Sequence, residues 1–535
     1  MIQLISGESA FAYGAINSGV RLITGYPGSP SSGAFELLRN LQIKFGYHME
    51  WSLNEKVACE VAIGGSIGGL RSLICTKSVG LNVMIDPLMA LNLTPLNAGL
   101  VILLGDDPQG YGSQNDQDSR AIVHFLEMPL WEPAAPADGY FMMINAFQVS
   151  EEFGVPVIIR ETRSFSQVTG EIDFELKYDP EKKELIEEPF RFVPVPENAV
   201  AKHLALQKSL SKVTIWHENS VFNETTGNGK KGILASGFVT HKLLDILEGA
   251  EKHPFRIFKL GTLFPLPYRK IEEFLNDCDE ILIFEESSDF IERAIKVIAW
   301  ETHCATTILG KSELGLSPAG ELFKWQISNA LNTLFPDLKI KVYLESAQAQ
   351  EYPEMKNNCS DSRYEEVIEL VERAAQLGGL TPLFVGDPGC IFMAGEKLIA
   401  KYAIGSAVGL ASGLQYANPD KPVVAFVGDS GFFHTTMPAI ANAAFTLRNF
   451  LIIVLDNGGA LTTGLQPTPA GGKNILNQES MPQSFQKIAE SLGIQQVSKI
   501  SLNDEPDKII NAFLAGLTGK KLNLIIVQIP STTAG

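Results

Sequence analysis

The chain has 535 residues, which at roughly 150 residues per domain allows three or four domains with full cores and excludes a small disulfide-stapled module. Its 43 lysines and arginines against 61 aspartates and glutamates leave a formal net charge of −18. With no basic patch to offset it, such a surface repels phosphate backbones, so no nucleic-acid partner is expected.

With 45% hydrophobic and 19% charged residues the composition is that of a folded globular protein. The first residues, MIQLISGESAFAYGA, carry neither the basic nor the continuous apolar region of a secretory signal and read as mature protein. Apolar runs such as 100–104 and 450–455 are of strand length, far short of the ~20 residues of a membrane span, and no membrane segment is expected. The six cysteines (Cys59, Cys75, Cys278, Cys304, Cys359 and Cys390) include no C-x-x-C pair. That usage suits a reducing, cytoplasmic setting and argues against a disulfide framework.

Three stretches alternate strands with small-residue helices, the pattern of parallel α/β domains. The first, from residue 1 to about 170, places strands at 21–24, 72–76, 99–104 and 155–160. The charged, proline-punctuated stretch 171–231 reads as a crossover linker, helical over 197–210 and without an apolar period at 223–231. The second stretch, 232–344, predicts strands at 232–235, 255–259 and 280–284 with helices at 240–247 and 269–276; its size suggests a support domain. A connector at 346–379 ends in an amphipathic helix, 364–377, whose Val367, Ile368, Leu370, Val371 and Ala374 form one face. The third stretch, 380–535, has strands at 422–427, 450–455 and 522–529.

The chemistry gathers in the third stretch. A buried strand runs into Gly428-Asp429-Ser430-Gly431, and a helix is expected from near Thr435; helix N-termini after such turns hold phosphate through free N–H groups and the dipole. The next strand ends in Asp456-Asn457-Gly458-Gly459, with Asn457 following Asp429 by 28 residues. Both turns should open at the C-terminal edge of adjacent parallel strands, where α/β sheets bind ligands. A carboxylate, a carboxamide and the main-chain carbonyl of Gly459 are hard oxygen donors, and with two diphosphate oxygens they would nearly complete the octahedron of magnesium. Each turn taken singly is also a common strand end.

At these residues the chain resembles a family. GDSG with the later DN looks like the thiamine-diphosphate motif. The strings GDSGFFHTTMPAIANA (428–443) and LDNGGALTTGLQPTP (455–469) resemble the alpha subunit of indolepyruvate:ferredoxin oxidoreductases. The same resemblance runs through TGYPGSPSS (24–32), EWSLNEKVACEVAIGGS (50–66), KSVGLNVMIDPLM (77–89), GDDPQGYGSQNDQDSR (105–120) and KLGTLFPLP (259–267), so it covers nearly the whole chain in order.

The resemblance implies an α/β protein of three parallel-sheet domains, two thiamine-diphosphate-binding folds flanking a transketolase C-terminal-like domain. These would be a pyrimidine-binding domain with its linker at 1–200, the middle domain at 230–350 and the diphosphate-binding domain at 375–535. The cofactor would bridge the first and third, as related enzymes do across subunits, which implies a homodimer-like core and leaves room for a smaller beta-type subunit. By the same resemblance Asp429, Asn457 and the Gly459 carbonyl would hold magnesium. Gly428, Ser430, Thr462 and His434 would face the diphosphate or thiazolium, and Pro27, Gly28 and Ser29 would border the pyrimidine.

Glu55 matches the glutamate that hydrogen-bonds the pyrimidine nitrogen in thiamine enzymes. A carboxyl donating there favours the imino tautomer, whose neighbouring nitrogen takes the proton from the thiazolium carbon. Spacing offers a second reading: Ser52-Leu53-Asn54-Glu55 is a capping box in which Glu55 satisfies the N-cap amide of a helix starting near Leu53. In the polar loop after the 99–104 strand, Arg120 is the best candidate for a substrate carboxylate, with Gln114 and Asn115 as weaker contacts and a solvent-facing charge as the alternative for Arg120. His48 and His124 are better read as packed or solvated side chains.

The chain departs from the family in its cysteines. The related alpha subunits carry a cysteine-rich ferredoxin-like domain after the diphosphate domain, and none is present in the sequence to residue 535. The wider superfamily also ligates a cluster near the cofactor, and of those positions only Cys390 in the GDPGC turn is kept, with Cys359 a second at best. Four thiolates cannot be assembled, so an iron–sulfur cluster is expected to be absent and a non-oxidative 2-oxo acid decarboxylase or carboligase is the favoured reading. The alternatives are an oxidoreductase alpha subunit whose electrons leave through clusters on a partner chain, and a silent structural subunit. Glu55, Asp429 and Asn457 together speak against the last.

Overall fold

The computed structural model describes residues 2–248, 253–345, 359 and 363–530, with the backbone alone at 392–394. The chain folds into two compact units, Met1–Met355 and Lys356–Gly535. Three mostly parallel sheets make up the α/β architecture expected.

The first sheet has seven strands in the order Thr262–Phe264, Leu130–Trp131, Val157–Thr162, Leu100–Asp106, Ser72–Lys77, Leu22–Gly25 and His48–Trp51. All pair in parallel except Thr262–Phe264, which is antiparallel to Leu130–Trp131. Its central strands, such as LVILLGD at Leu100–Asp106, are buried at every position. That is why they read as unbroken apolar runs: helices cover both faces of a parallel sheet.

The second sheet runs Thr307–Leu309, Glu280–Phe284, Lys231–Ser236, Phe255–Leu260 and Asn223–Thr226, with the last strand antiparallel. The two sheets share a core in which Ile102, Leu104 and Leu130 belong to the same cluster as Phe258, Leu260, Leu263 and Ile283. This shared cluster ties the two sheets into a single unit.

The second unit holds the third sheet, six parallel strands in the order Ala400–Lys401, Leu383–Gly386, Val423–Gly428, Leu451–Asp456, Asn523–Gln528 and Gln496–Ser501. Helices Arg363–Leu377 and Pro506–Thr518 cover one face through Val367, Ile368, Val371, Ile509 and Phe513. Ala407, Val408, Ala411, Ile440 and Ala443 cover the other.

Several expectations change. The linker contains the strand Thr169–Asp173, which pairs with Ile2–Ser6, and a helix, Pro196–Glu218, longer than the 197–210 expected. It ends in an edge strand, Asn223–Thr226, where no strand was foreseen. These strands are short and polar because they sit at edges, where no apolar period is required. Of the connector at 346–379, residues 346–358 and 360–362 lie outside the described residues. Cys359 and Cys390 form a disulfide across 31 residues, contrary to the expectation of free thiols. The helix Arg363–Leu377 packs beside the turn at 390, a contact that spacing along the chain does not reveal. No helix among the described residues is long and apolar enough to cross a membrane.

Candidate active site

In the second unit, strand Val423–Gly428 lies parallel to Leu451–Asp456 with Gly428 opposite Leu455. Asp429 and the turn beginning at Asp456 therefore emerge side by side at the C-terminal edge, as the motif spacing predicts. The backbone is helical from Asp429 itself, passes through a π-helical turn at Phe432–Thr436 and continues as Met437–Phe445. The helix thus starts six residues before the expected Thr435, and the extra residue of the π turn sits beside the site, where such turns are often found.

Asp429 is 3% exposed. Its Oδ1 accepts the Ser430 N–H at 2.6 Å, while its buried Oδ2 has no hydrogen-bond partner. Burial, reinforced by the charge of Asp456 and opposed by the N–H groups of Ser430, Gly459 and Gly458, pushes the Asp429 carboxyl up to about 7. Asn457 donates Nδ2–H to the Tyr364 hydroxyl at 2.7 Å, and its Oδ1 accepts the Gly459 N–H at 3.3 Å. The carboxamide is thereby oriented from outside the turn. At Gly458 the chain has φ of +85°, and a Cβ at Gly459 would lie 3.0 Å from the Gln466 carbonyl oxygen, so this turn requires both glycines.

An orphaned buried carboxylate oxygen, an oriented carboxamide oxygen and a turn carbonyl are the donor set of a hard divalent cation. The donor types present fit magnesium, and Asp429, Asn457 and the Gly459 carbonyl are the groups that would hold it. His434 is buried, its Nδ1 3.3 Å from the Thr435 hydroxyl. Thr462 is exposed on the short turn Leu461–Thr463.

Asp387 is a residue that sequence reasoning missed. It is 1% exposed, and its two oxygens accept the Gly405 N–H at 2.9 Å and the Ala407 N–H at 2.8 Å. Burial raises it to about 7 against those donors and the nearby His434. A Cβ at Gly431 would lie 3.1 Å from its Oδ2. Asp387 thus ties the start of helix Ala407–Ala417 to the back of the Asp429 turn, and the available signal was an acid directly after a strand, in GDPG.

In the first unit, Asn54 caps the helix Glu55–Ile67 by accepting the Val57 N–H at 2.9 Å. Glu55 is therefore the first helical residue, and the capping box from Ser52 does not form; the Ser52 hydroxyl instead donates to Glu50 at 2.9 Å. Glu55 is 6% exposed against the first turn of helix Ser78–Leu91, where a Cβ on Gly80 would come within 2.7 Å of its Oε1. The glycine keeps the space that the carboxyl occupies. Pro27, Gly28 and Ser29 form the loop after strand Leu22–Gly25, closed by the Gly28 N–H donating to Ser32 Oγ at 2.8 Å.

Arg120 is placed differently from both sequence readings. It is wholly buried, ion-paired to Asp118 at 2.7 Å and to Glu285 at 2.8 Å, and it donates to the Glu286 carbonyl. A guanidinium so held has no edge for a substrate carboxylate, so that assignment is corrected. Glu285 and Glu286 come from a strand end some 165 residues away, which the local sequence does not show. Gln114 and Asn115 are exposed in the same loop. His48 sits exposed 3.3 Å from Glu50, and the His124 ring lies 5.0 Å from that of Phe264.

Comparison with known proteins finds a thiamine-diphosphate family in each unit. The family described as "Pyruvate flavodoxin/ferredoxin oxidoreductase, thiamine diP-bdg" matches residues 13–189. That described as "Thiamine pyrophosphate enzyme, C-terminal TPP binding domain" matches 391–527. The chain is 31% identical to indolepyruvate oxidoreductase subunit IorA of Methanothermobacter thermautotrophicus, covering 92% of this chain and 81% of that one. It is likewise 31% identical to the IorA subunit of Pyrococcus horikoshii, over 94% and 81%. The 2-oxoglutarate synthase subunit KorA of Archaeoglobus fulgidus is 23% identical over 59% of this chain and 95% of its own. Among solved structures, 2-oxoglutarate:ferredoxin oxidoreductase from Magnetococcus marinus shares the fold, with a TM-score of 0.50 and 16% identity over 63% of this chain and 65% of that one.

Fold and site together define a thiamine-diphosphate-dependent enzyme of the 2-oxo acid oxidoreductase class. Within it, the chain belongs to the indolepyruvate oxidoreductase subunit IorA family.

Proposed function

We propose that this chain is the thiamine-diphosphate-bearing alpha-type subunit of an oxidoreductase that cleaves a 2-oxo acid to carbon dioxide and passes the electrons to clusters on a partner chain. The observation that carries this reading is the buried Asp429 Oδ2 without a partner, beside an Asn457 carboxamide held in place by Tyr364. Bound thiamine diphosphate supplies the electron sink that accepts the bonding pair when carbon dioxide leaves.

The chain's own residues do the rest. Asp429, Asn457 and the Gly459 carbonyl hold the cation that neutralises the diphosphate. Asp387 fixes the helix start behind them, and Glu55 presents its carboxyl to the pyrimidine nitrogen. Aromatic 2-oxo acids are the substrates suggested by the IorA relatives. A dimer of this chain, with a smaller partner subunit and in the cytoplasm, completes the proposal.

The likeness to IorA subunits favours the oxidative course over the non-oxidative one. One observation keeps the non-oxidative course as a second reading. Cys359 and Cys390 are bonded to each other, and the other four cysteines lie in the first unit, three of them buried, so the second unit has no four cysteines of its own to ligate a cluster.

Calorimetry with thiamine diphosphate and magnesium, followed by product analysis on an aromatic 2-oxo acid with and without a viologen acceptor, decides between them. Acceptor-dependent turnover to an oxidised product is expected. Aldehyde or acyloin formed without acceptor would establish the second reading. Equal cofactor affinity in the wild-type protein and in Asp429→Ala would overturn the site itself.

A further inference from the structure

With Arg120 committed to Asp118 and Glu285, the substrate carboxylate needs another cation, and we propose that Lys77, at the uncapped start of helix Ser78–Leu91, receives it. This rests on the reading of the first unit as the pyrimidine side of a 2-oxo acid enzyme.

Lys77 is the last residue of strand Ser72–Lys77, in the interior of the seven-stranded sheet between Leu22–Gly25 and Leu100–Asp106. It therefore sits at the middle of the C-terminal edge, where parallel sheets bind ligands. Its stem runs against the loop expected to border the pyrimidine: a Cβ on Gly28 would lie 2.9 Å from Lys77 Cβ and 3.2 Å from Cδ. Only glycine lets that loop close on the lysine. The helix that Lys77 begins is the one whose Gly80 makes room for Glu55, so the cation and the Glu55 carboxyl, which comes from helix Glu55–Ile67, both meet the same first helical turn.

The ammonium is under-served where it stands. The side chain is 11% exposed, yet of its three donors one makes a short bond, to the Gly112 carbonyl at 2.7 Å. Among the described residues the carboxylate within reach is Asp107, with Oδ2 4.0 Å away. That oxygen already accepts the Gly112 N–H at 2.8 Å and the Ser113 hydroxyl at 2.7 Å. Burial pulls the lysine below its ordinary value against the pull of Asp107, as expected of a cation short of counter-charge.

Helix Ser78–Leu91 has fourteen residues and no side-chain cap at its start, so its first N–H groups add positive potential at the same point. The neighbouring loop contributes neutral amide: Gln117 donates Nε2–H to the Ser78 carbonyl at 3.1 Å and to Asn82 Oδ1 at 3.0 Å. A point charge backed by a helix N-terminus suits one carboxylate next to a carbonyl, whereas a guanidinium fork would demand bidentate geometry.

Two arms test it. In the first, cofactor-free protein is acetylated with a limiting N-hydroxysuccinimide ester and Lys77 modification is followed by peptide mass spectrometry. Phenylpyruvate is expected to slow labelling at Lys77 and its uncharged methyl ester to leave it unchanged. In the second, Lys77→Met is expected to raise KM for phenylpyruvate by roughly 10- to 150-fold, the loss of one hydrogen bond to a charged group. Affinity for thiamine diphosphate with magnesium should stay at the wild-type level, and Lys77→Arg should recover part of the loss.

If Lys77 merely pins the loop through Gly112, acid and ester will affect labelling alike and Lys77→Met will not raise KM selectively; either result overturns the inference while the proposed function stands. A wild-type protein that binds no cofactor overturns the proposed function instead, and the labelling arm still decides the role of Lys77.

Discussion

Replacing Glu55 by glutamine keeps the volume that Gly80 leaves open but removes the proton that the carboxyl can share. Cofactor affinity should hold, and exchange of the thiazolium hydrogen for deuterium should slow by roughly 10²- to 10⁴-fold, the range of acid–base catalysis. Exchange at the wild-type rate would reduce Glu55 to an ordinary first-turn residue. Glu161 is a different kind of buried acid. Both of its oxygens are buried without a hydrogen-bond partner, and burial, with the neighbouring Glu8 adding to it, holds it well above the ordinary 4.5. It folds as the neutral acid, so its contribution to stability is complete below pH 4.5 and is lost as pH rises through the folded value. Glu161→Gln has no proton to hold. It should match the wild-type protein in thermal unfolding at pH 4 and exceed it at pH 8, with the gap growing by about 1.4 kcal/mol per pH unit until the folded value is passed.

Among the elements, helix Pro196–Glu218 shows why a stretch of charged, proline-marked sequence is ordered. Trp216 near its end stacks on Trp131 with ring centroids 5.0 Å apart and planes 3° from parallel. His217 accepts the Trp131 indole N–H at 2.8 Å, and its Nδ1–H donates to the Pro265 carbonyl at 2.6 Å. The ring is wholly buried and neutral, pulled down to about 4 by burial against the Pro265 bond. A histidine that folds uncharged contributes stability that is complete above pH 6.5 and is lost as pH falls toward 4, because the unfolded chain takes up the proton first. The loss amounts to about 3 kcal/mol. Denaturant unfolding at pH 7 and pH 5 should show part of it, and His217→Gln should flatten the slope between them.

At the scale of the molecule, the first unit joins its two sheets through apolar core and through the buried Arg120–Glu285 pair, and each layer carries further buried ion pairs of its own. Arg120 meets Glu285, Lys242 meets Glu286 at 2.8 Å and Glu321 at 2.7 Å, and Arg160 meets Asp106 at 2.6 Å and Glu132 at 2.5 Å. Such pairs add little net stability but are costly to break singly, which favours one arrangement of the two layers. The residues proposed for the pyrimidine side and for the diphosphate side are divided between the two units, and the resemblance read in the sequence implies that such halves combine from two copies. Sedimentation of the cofactor-loaded protein should therefore give a dimer. A monomer with cofactor bound stoichiometrically would count against that assembly.

The sequence by itself determined the strands buried on both faces, because a parallel sheet covered by helices leaves an unbroken apolar run, and it determined the Asp429 and Asn457 turns, because residues adjacent in the chain build them. Tertiary structure decided what depends on distant partners. Edge strands such as Asn223–Thr226 carry no apolar period, since only backbone pairing with Phe255–Leu260 makes them strands. Cys359 meets Cys390 only because the helix between them folds back. Glu55 has no capping-box role because Asn54, and not Ser52, caps the helix. Arg120 turned inward because the Glu285 carboxylate and the Glu286 carbonyl, at a strand end of the second sheet, accept from it; a charge is legible in a sequence, but its counter-charge is set by the packing of layers.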